Sequence, residues 1–318
     1  MKFNALRLRV ALVAGMKSAL ASWNSERDRY NLELPSEELS TNLLAAVKQV
    51  RGPGRPPAII VHGVMPRSGT VYCGELVRLH SDIVAYPYEL WEVPLLQATR
   101  EIDGLHSAFV RGYRSNADRL GNAEFMAIIG AAFIGYLYAA LPAGKRLLIK
   151  VPRAAYLGNF ATMFPMEDSL FLMRDGRNLT QSTLKTWPDK SFEATAKSWN
   201  DATRLMLKVL SMYKGDRVCK MYRYEELAAD PSGFAQSLCE NFDLDPDLYP
   251  FEKVQSLPTR GASSTSQAGQ VDWSPKEKPR GFKSSEHWKN WGESKRERFK
   301  IIAGSTLIES GYEKNSDW

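Results

Sequence analysis

The chain has 318 residues, 44% of them hydrophobic, and sets 42 Lys and Arg against 36 Asp and Glu for a formal net charge of +6. That length and apolar content suffice for a large core and exclude a disordered or fibrous chain, while the scattered, nearly balanced charge excludes a dedicated nucleic-acid binder and suits an anionic small-molecule partner. Three widely spaced cysteines, Cys73, Cys219 and Cys239, fit neither a metal cluster nor a disulfide framework, so no metal and a reducing, cytoplasmic setting are expected.

Residues 1–23 place Lys2, Arg7 and Arg9 ahead of a short apolar run that Lys17 ends. The run is too short to anchor a chain in a membrane and reads as an amphipathic helix within a helical extension, 1–50. Periodicity predicts strands over 58–63, 82–85, 146–150, 169–173 and 217–221, and helices over 70–80, 116–141, 154–163, 177–186, 192–213, 231–241 and 293–310. Strands that alternate with helices give an α/β domain, 1–318, with a central parallel sheet flanked by helices. Residues 125–144 carry no charge and match the roughly 20 residues a membrane-spanning helix needs. They lie between two halves of one anion site, so they read as a buried helix whose Gly130, Gly135, Tyr136 and Tyr138 wall an apolar acceptor pocket, and not as an integral membrane span. Residues 257–285, rich in Gly, Pro, Ser, Thr and Lys, lack periodicity and read as a lid loop.

The first half of the anion site is the turn Gly63-Val64-Met65-Pro66-Arg67-Ser68-Gly69-Thr70, which joins the first predicted strand to a helix. Backbone N–H groups at such a turn converge on one point, Ser68 and Thr70 add hydroxyl donors, and Arg67 adds a fixed cation. Gly69 stands where a nucleotide-binding P-loop has its lysine, which argues against a nucleoside triphosphate. A hundred residues on, Arg174 ends the fourth predicted strand and Ser182 follows eight positions later on the next helix. About two turns of about 3.6 residues bring that hydroxyl back to the side of the strand end.

Pro66-Arg67-Ser68-Gly69-Thr70-Val71 and the Arg174…Ser182 pair resemble the two phosphate motifs of the sulfotransferases that use 3'-phosphoadenosine 5'-phosphosulfate (PAPS), with Val71 in place of a threonine. The resemblance covers about residues 58–310. It implies the P-loop-like sulfotransferase fold and in-line transfer of a sulfuryl group from PAPS to a hydroxyl or amine of a small-molecule, glycan or peptide acceptor. A small-molecule P-loop kinase and an inactive nucleotide-binding scaffold are the alternatives. The resemblance further implies that Arg67, Ser68, Gly69 and Thr70 hold the 5'-phosphosulfate and that Arg174 and Ser182 hold the 3'-phosphate. Tyr72 would stack on the adenine, and Tyr224, in Tyr224-Glu225-Glu226-Leu227, would lie near it. Either Arg280 or Lys283, ahead of Trp288-Lys289-Asn290, would reach a phosphate.

For the chemistry, Arg67 is permanently charged and can offset charge on the leaving oxygen. Lys150, in Lys150-Val151-Pro152, falls where the cytosolic sulfotransferases have Lys-Thr-His and the tyrosylprotein sulfotransferases have Lys-Asp-Pro, so a basic histidine is missing there. The segment 79–92 is similar to the tyrosylprotein enzymes and puts Glu89 within one residue of their catalytic glutamate. A pocket of Tyr86, Tyr88 and Trp91 would raise its carboxyl toward neutrality and let it accept the acceptor proton. Glu92 is the substitute base and His106 the third choice.

Overall fold

The computed structural model describes residues 28–34, 39–116, 118–213, 217–260, 271–277 and 287–318. The expected helix at 1–23 and both Arg280 and Lys283 lie outside the described residues.

Five apolar segments form one parallel sheet: β1 (Ile59–Gly63), β2 (Ile83–Ala85), β3 (Arg146–Val151), β4 (Asp168–Met173) and β5 (Cys219–Arg223), in the spatial order β2-β3-β1-β4-β5. β1 runs in register with β3 (Val61 opposite Lys150) and with β4 (Val61 opposite Leu170). β1, β3 and β4 are buried at every position, which is why they read as continuous apolar runs and not as alternating ones. Successive residues still feed opposite cores. Ile59, Val61, Leu148, Leu170 and Leu172 face one core, and Ile60, Ile149, Val151, Phe171 and Met173 face the other.

The first core is covered by α2 (Thr70–Val77) and α9 (Pro231–Phe242), through Leu76, Phe234 and Leu238. The second is covered by α4 (Asn122–Ala139), α5 (Phe160–Met163), α7 (Phe192–Met212) and α10 (Glu293–Glu309). α6 (Gly176–Thr186) follows β4, and α8 (Tyr224–Ala229) follows β5 directly. Chain order and strand order diverge at β1, whose connection leads away to β2 while β4 lies on its other side. The crevice above β1 and β4 is therefore the topological switch point where open α/β sheets bind ligands.

Several expectations are corrected. Helix α1 (Thr41–Arg51) lies in the helical extension expected over 1–50, whereas α3 (Thr99–Gly112) lies outside the helices that periodicity assigned. The helix expected over 116–141 begins at Asn122, because Gly121 is its N-cap, with its N–H bonded to the Glu124 carboxylate at 2.9 Å. The helix expected over 154–163 shrinks to a 3-10 turn and the single turn α5. Within the segment expected to form a lid loop, Thr259 and Lys276 exchange backbone hydrogen bonds of 2.8 and 2.9 Å as an antiparallel bridge. α4 is long and apolar enough to cross a membrane by length and composition. Its glycines serve close packing and do not wall a pocket. A Cβ on Gly130 would lie 1.9 Å from the Met163 carbonyl oxygen, and one on Gly135 2.7 Å from that of Val50.

Candidate functional site

The turn after β1 is shaped by its own residues before any ligand is considered. Arg67 and Gly69 both adopt left-handed backbone, at φ 80° and 95°. The Ser68 hydroxyl accepts from the Met65 N–H at 3.1 Å and donates back to the Met65 carbonyl. Ser68 is thus consumed in closing the loop, with its side chain fully buried. Gly69 is required twice, by its φ and because a Cβ there would meet the Tyr224 ring at 2.2 Å. α2 begins at Thr70 with Gly69 as its N-cap residue, so its first-turn N–H groups lack intrahelical acceptors.

The end of β4 meets this turn. Arg174 Nη1 donates to the Arg67 carbonyl at 2.6 Å, and its guanidinium carbon lies 4.6 Å from the centre of the Tyr224 ring. Its own carbonyl is held by the Trp199 indole N–H at 3.0 Å. The Arg174 Nε is buried and has no hydrogen-bond partner. Arg67 Nε reaches the Ser182 hydroxyl at 3.4 Å, a long hydrogen bond. Burial, then the like charge of Arg174, pushes the Arg67 guanidinium down to about 10. The fold therefore brings Arg67, Gly69, Arg174, Ser182 and Tyr224 into one cluster whose two cations repel. An anion between them would relieve both the repulsion and the orphaned Nε.

The two expected adenine neighbours are packed differently from a stacking platform. Tyr72 and Tyr224 are only 7% and 9% exposed and belong to the α2 and α9 core. Burial raises both phenols. The segment Trp288-Lys289-Asn290 forms a 3-10 turn against α6, where Trp288 stacks on Arg177 at 3.8 Å, and the neighbouring Trp291 donates to Gln181 at 2.8 Å.

Lys150, the last residue but one of β3, is nearly buried, at 4% exposure, on the α2 side of the sheet. Its ammonium lies 3.7 Å from the Glu92 carboxylate. Burial lowers its pKa, opposed by the charges of Glu92 and then Glu75. Glu89 is exposed and is not enclosed by aromatic rings as expected. The chain turns through left-handed backbone at Tyr86, Tyr88 and Glu89 (φ 58°, 54° and 60°). This swings Tyr86 onto Trp91 and Tyr88 onto Tyr136, each at 4.6 Å between ring centres. Positive φ at three residues of one short turn cannot be read from residue types, so the sequence favoured Glu89 by its register and did not show that Glu92 is the carboxylate beside Lys150. His106 is bonded to the Leu120 carbonyl at 2.9 Å and His80 to that of Asp245 at 2.9 Å, so both are tied to the backbone.

The profile of the sulfotransferase family matches residues 57–247, a span that holds the cradle, Lys150, Arg174, Ser182 and Tyr224. Nodulation protein NoeE of Sinorhizobium fredii is 26% identical over 282 residues, which cover 79% of this chain and 65% of that protein, so the chain spans less than two thirds of this relative's length. Solved structures of similar shape include the sulfotransferase domain from the curacin biosynthetic pathway, at 17% identity over 77% of this chain and 96% of that one, with a TM-score of 0.45. Another is the sulfotransferase domain of the Synechococcus PCC 7002 olefin synthase, at 16% identity over 81% and 97%, with a TM-score of 0.48. A third is mouse sulfotransferase SULT7A1 complexed with PAP, at 13% identity over 86% and 91%, with a TM-score of 0.45. Over more than half its length, and across the whole crevice above β1 and β4, the chain belongs to the sulfotransferase family.

Proposed function

We propose that the chain transfers the sulfuryl group of PAPS to a hydroxyl or amine acceptor and releases adenosine 3',5'-bisphosphate. The observation that carries this reading is the meeting of Arg67 and Arg174 at the switch point, with Ser182 in reach and a buried Arg174 Nε lacking a partner. Arg174 and Ser182 would take the 3'-phosphate, and the N–H groups of Arg67, Gly69 and Thr70 with the Thr70 hydroxyl the 5'-phosphosulfate. Ser68 supports that loop from within. A kinase reading is disfavoured because the place of a P-loop lysine is held by Gly69, against which the Tyr224 ring leaves no room for a side chain.

In the transfer, the acceptor oxygen attacks sulfur, the bond from sulfur to the phosphate oxygen breaks, and the acceptor proton passes to a carboxylate. Arg67 and Lys150 offset the charge that develops on the leaving oxygen. Both carboxylates on the 86–92 turn are exposed, and of the two it is Glu92 that lies 3.7 Å from the Lys150 ammonium. We assign the base to Glu92. As Lys150 turns to the phosphosulfate, it releases Glu92 to take the proton.

Thermal denaturation tests the donor. Adenosine 3',5'-bisphosphate at about 100 times its Kd adds about 2.7 kcal/mol and raises the Tm by several degrees. Arg174→Ala abolishes the rise, and a larger rise with ATP would sink the reading. Labelled-sulfate transfer tests the base. Glu92→Gln lowers the rate about a hundredfold or more while bisphosphate binding survives, and Glu89→Gln has little effect. The reverse order of those two variants returns the role to Glu89.

A further inference from the structure

Between β4 and α6, the peptide bond that joins Arg174 to Asp175 has both of its polar groups held by side chains. The Arg174 carbonyl accepts from the Trp199 indole at 3.0 Å, and the Asp175 N–H donates to Glu225 Oε1 at 3.1 Å. A peptide unit is rigid and planar, so tying it at both ends fixes how the chain turns at Arg174. Trp199 comes this close because residue 176 is glycine, where a Cβ would lie 2.3 Å from the indole ring.

Glu225 is held in its turn. Its other oxygen, Oε2, accepts from the Tyr312 hydroxyl at 3.1 Å. Burial, then the charge of Glu225, keeps that phenol well above its usual value, so it stays a donor. Tyr312 arrives there because the chain reverses after α10. Gly311 takes left-handed backbone at φ 73°, and Arg223 of β5 donates to the Ser310 carbonyl at 2.8 Å. Glu225 is 50 residues from Asp175 and 87 from Tyr312 in sequence, so one carboxylate links the end of β4 to the C-terminal segment. Burial raises the Glu225 carboxyl, and the charge of Arg174 opposes the rise. By charge alone, Glu225 would weaken an anion's hold on Arg174. Its contribution is geometric.

We propose that Glu225 and Tyr312 are positioning residues for the 3'-phosphate. Tyr312 holds the carboxylate, the carboxylate holds the Asp175 N–H, and Arg174 is thereby aimed at the phosphate it shares with Ser182. This rests on the reading above that Arg174 and Ser182 take the 3'-phosphate. Both residues act through Arg174 and not on the nucleotide, as support behind a binding group does.

Adenosine 3',5'-bisphosphate and adenosine 5'-phosphate differ only in the 3'-phosphate, and equilibrium dialysis of the full chain against each tests the assignment. Wild type binds the bisphosphate more tightly. Glu225→Ala weakens the bisphosphate about tenfold and Tyr312→Phe about threefold, as loss of one hydrogen bond predicts. Both variants bind the 5'-phosphate within about twofold of wild type, which shows that they fold. Glu225→Gln keeps an oxygen for the Asp175 N–H and brings back most of the bisphosphate affinity. Equal losses for the two nucleotides assign Glu225 and Tyr312 to the fold at large and overturn the proposal. Unchanged bisphosphate binding in Glu225→Ala or in Tyr312→Phe also overturns it. A Glu225→Gln variant that changes as much as Glu225→Ala, in either direction, assigns the effect to charge and overturns it too. Wild type that binds the two nucleotides equally fails the donor reading, and this assignment falls with it. A wild-type preference for the bisphosphate that survives in every variant fails the assignment alone.

Discussion

His62 precedes the glycine that opens the cradle, and both of its ring nitrogens are buried without hydrogen-bond partners. It sits edge-on to Phe160 and Phe171, at 5.4 and 5.9 Å. Burial pushes it down to about 3, so the folded chain holds it neutral while the unfolded chain protonates it below about 6.5. Between those values the unfolded state binds the extra proton, and stability falls as the pH falls. By about pH 5 the loss from this one group reaches about 2 kcal/mol. Urea midpoints at about pH 7 and about pH 5 are expected to differ less in His62→Leu than in wild type. An equal difference in the two proteins clears His62 of the effect. At this scale the sequence was informative about who meets whom at the phosphate cradle, because Arg67, Gly69, Arg174 and Ser182 are placed by strand ends and helical turns of fixed geometry. It was uninformative about Glu89 against Glu92, because that choice depends on left-handed backbone at Tyr86, Tyr88 and Glu89.

Two glycines on neighbouring helices give opposite expectations for one substitution. Alanine in a helix interior is favoured over glycine by about 1 kcal/mol. On α3, a Cβ at Gly104 meets nothing within 4 Å, so Gly104→Ala is expected to raise the unfolding free energy read from urea denaturation by up to that amount. On α4, a Cβ at Gly130 runs into the Met163 carbonyl, and backbone cannot step aside as a side chain can. Gly130→Ala is therefore expected to lower stability by about 1–3 kcal/mol, and shifts of the same sign in both variants would contradict the packing argument. Element by element, all five strands fall within two residues of their expected bounds; the central β1, β3 and β4 were the most legible, since fully buried parallel strands are written as apolar runs. α1 falls in the expected helical extension, but its bounds were not legible because it buries only Leu43, Val47 and Arg51 in eleven residues. α3 was not legible at all because it leaves apolar residues outside and buries only Thr99 and Ile102.

Across the whole molecule, distant segments are pinned through Arg177. Its guanidinium pairs with Asp175 at 2.7 Å and with Glu313, and lies 3.8 and 4.5 Å from the rings of Trp288 and Trp318. The residue is nearly buried, as is Asp175. Breaking a buried pair from one side strands the other charge, so Arg177→Met is expected to cost about 3–5 kcal/mol by urea denaturation. Adding Asp175→Asn should return part of that loss, and a double variant no more stable than the single one would assign the effect to the tryptophan contacts instead.

The cradle itself is a long-range object. Arg174 and the Arg67 carbonyl it holds are 107 residues apart in sequence, and the Tyr224 ring that backs Gly69 comes later still. During synthesis, at about 5–20 residues per second, the turn after β1 leaves the ribosome several seconds before the strand and tyrosine that complete it. A nascent chain therefore carries the turn long before the cluster around it is complete, and even after β3 has paired with one edge of β1, the other edge stays open until β4 arrives.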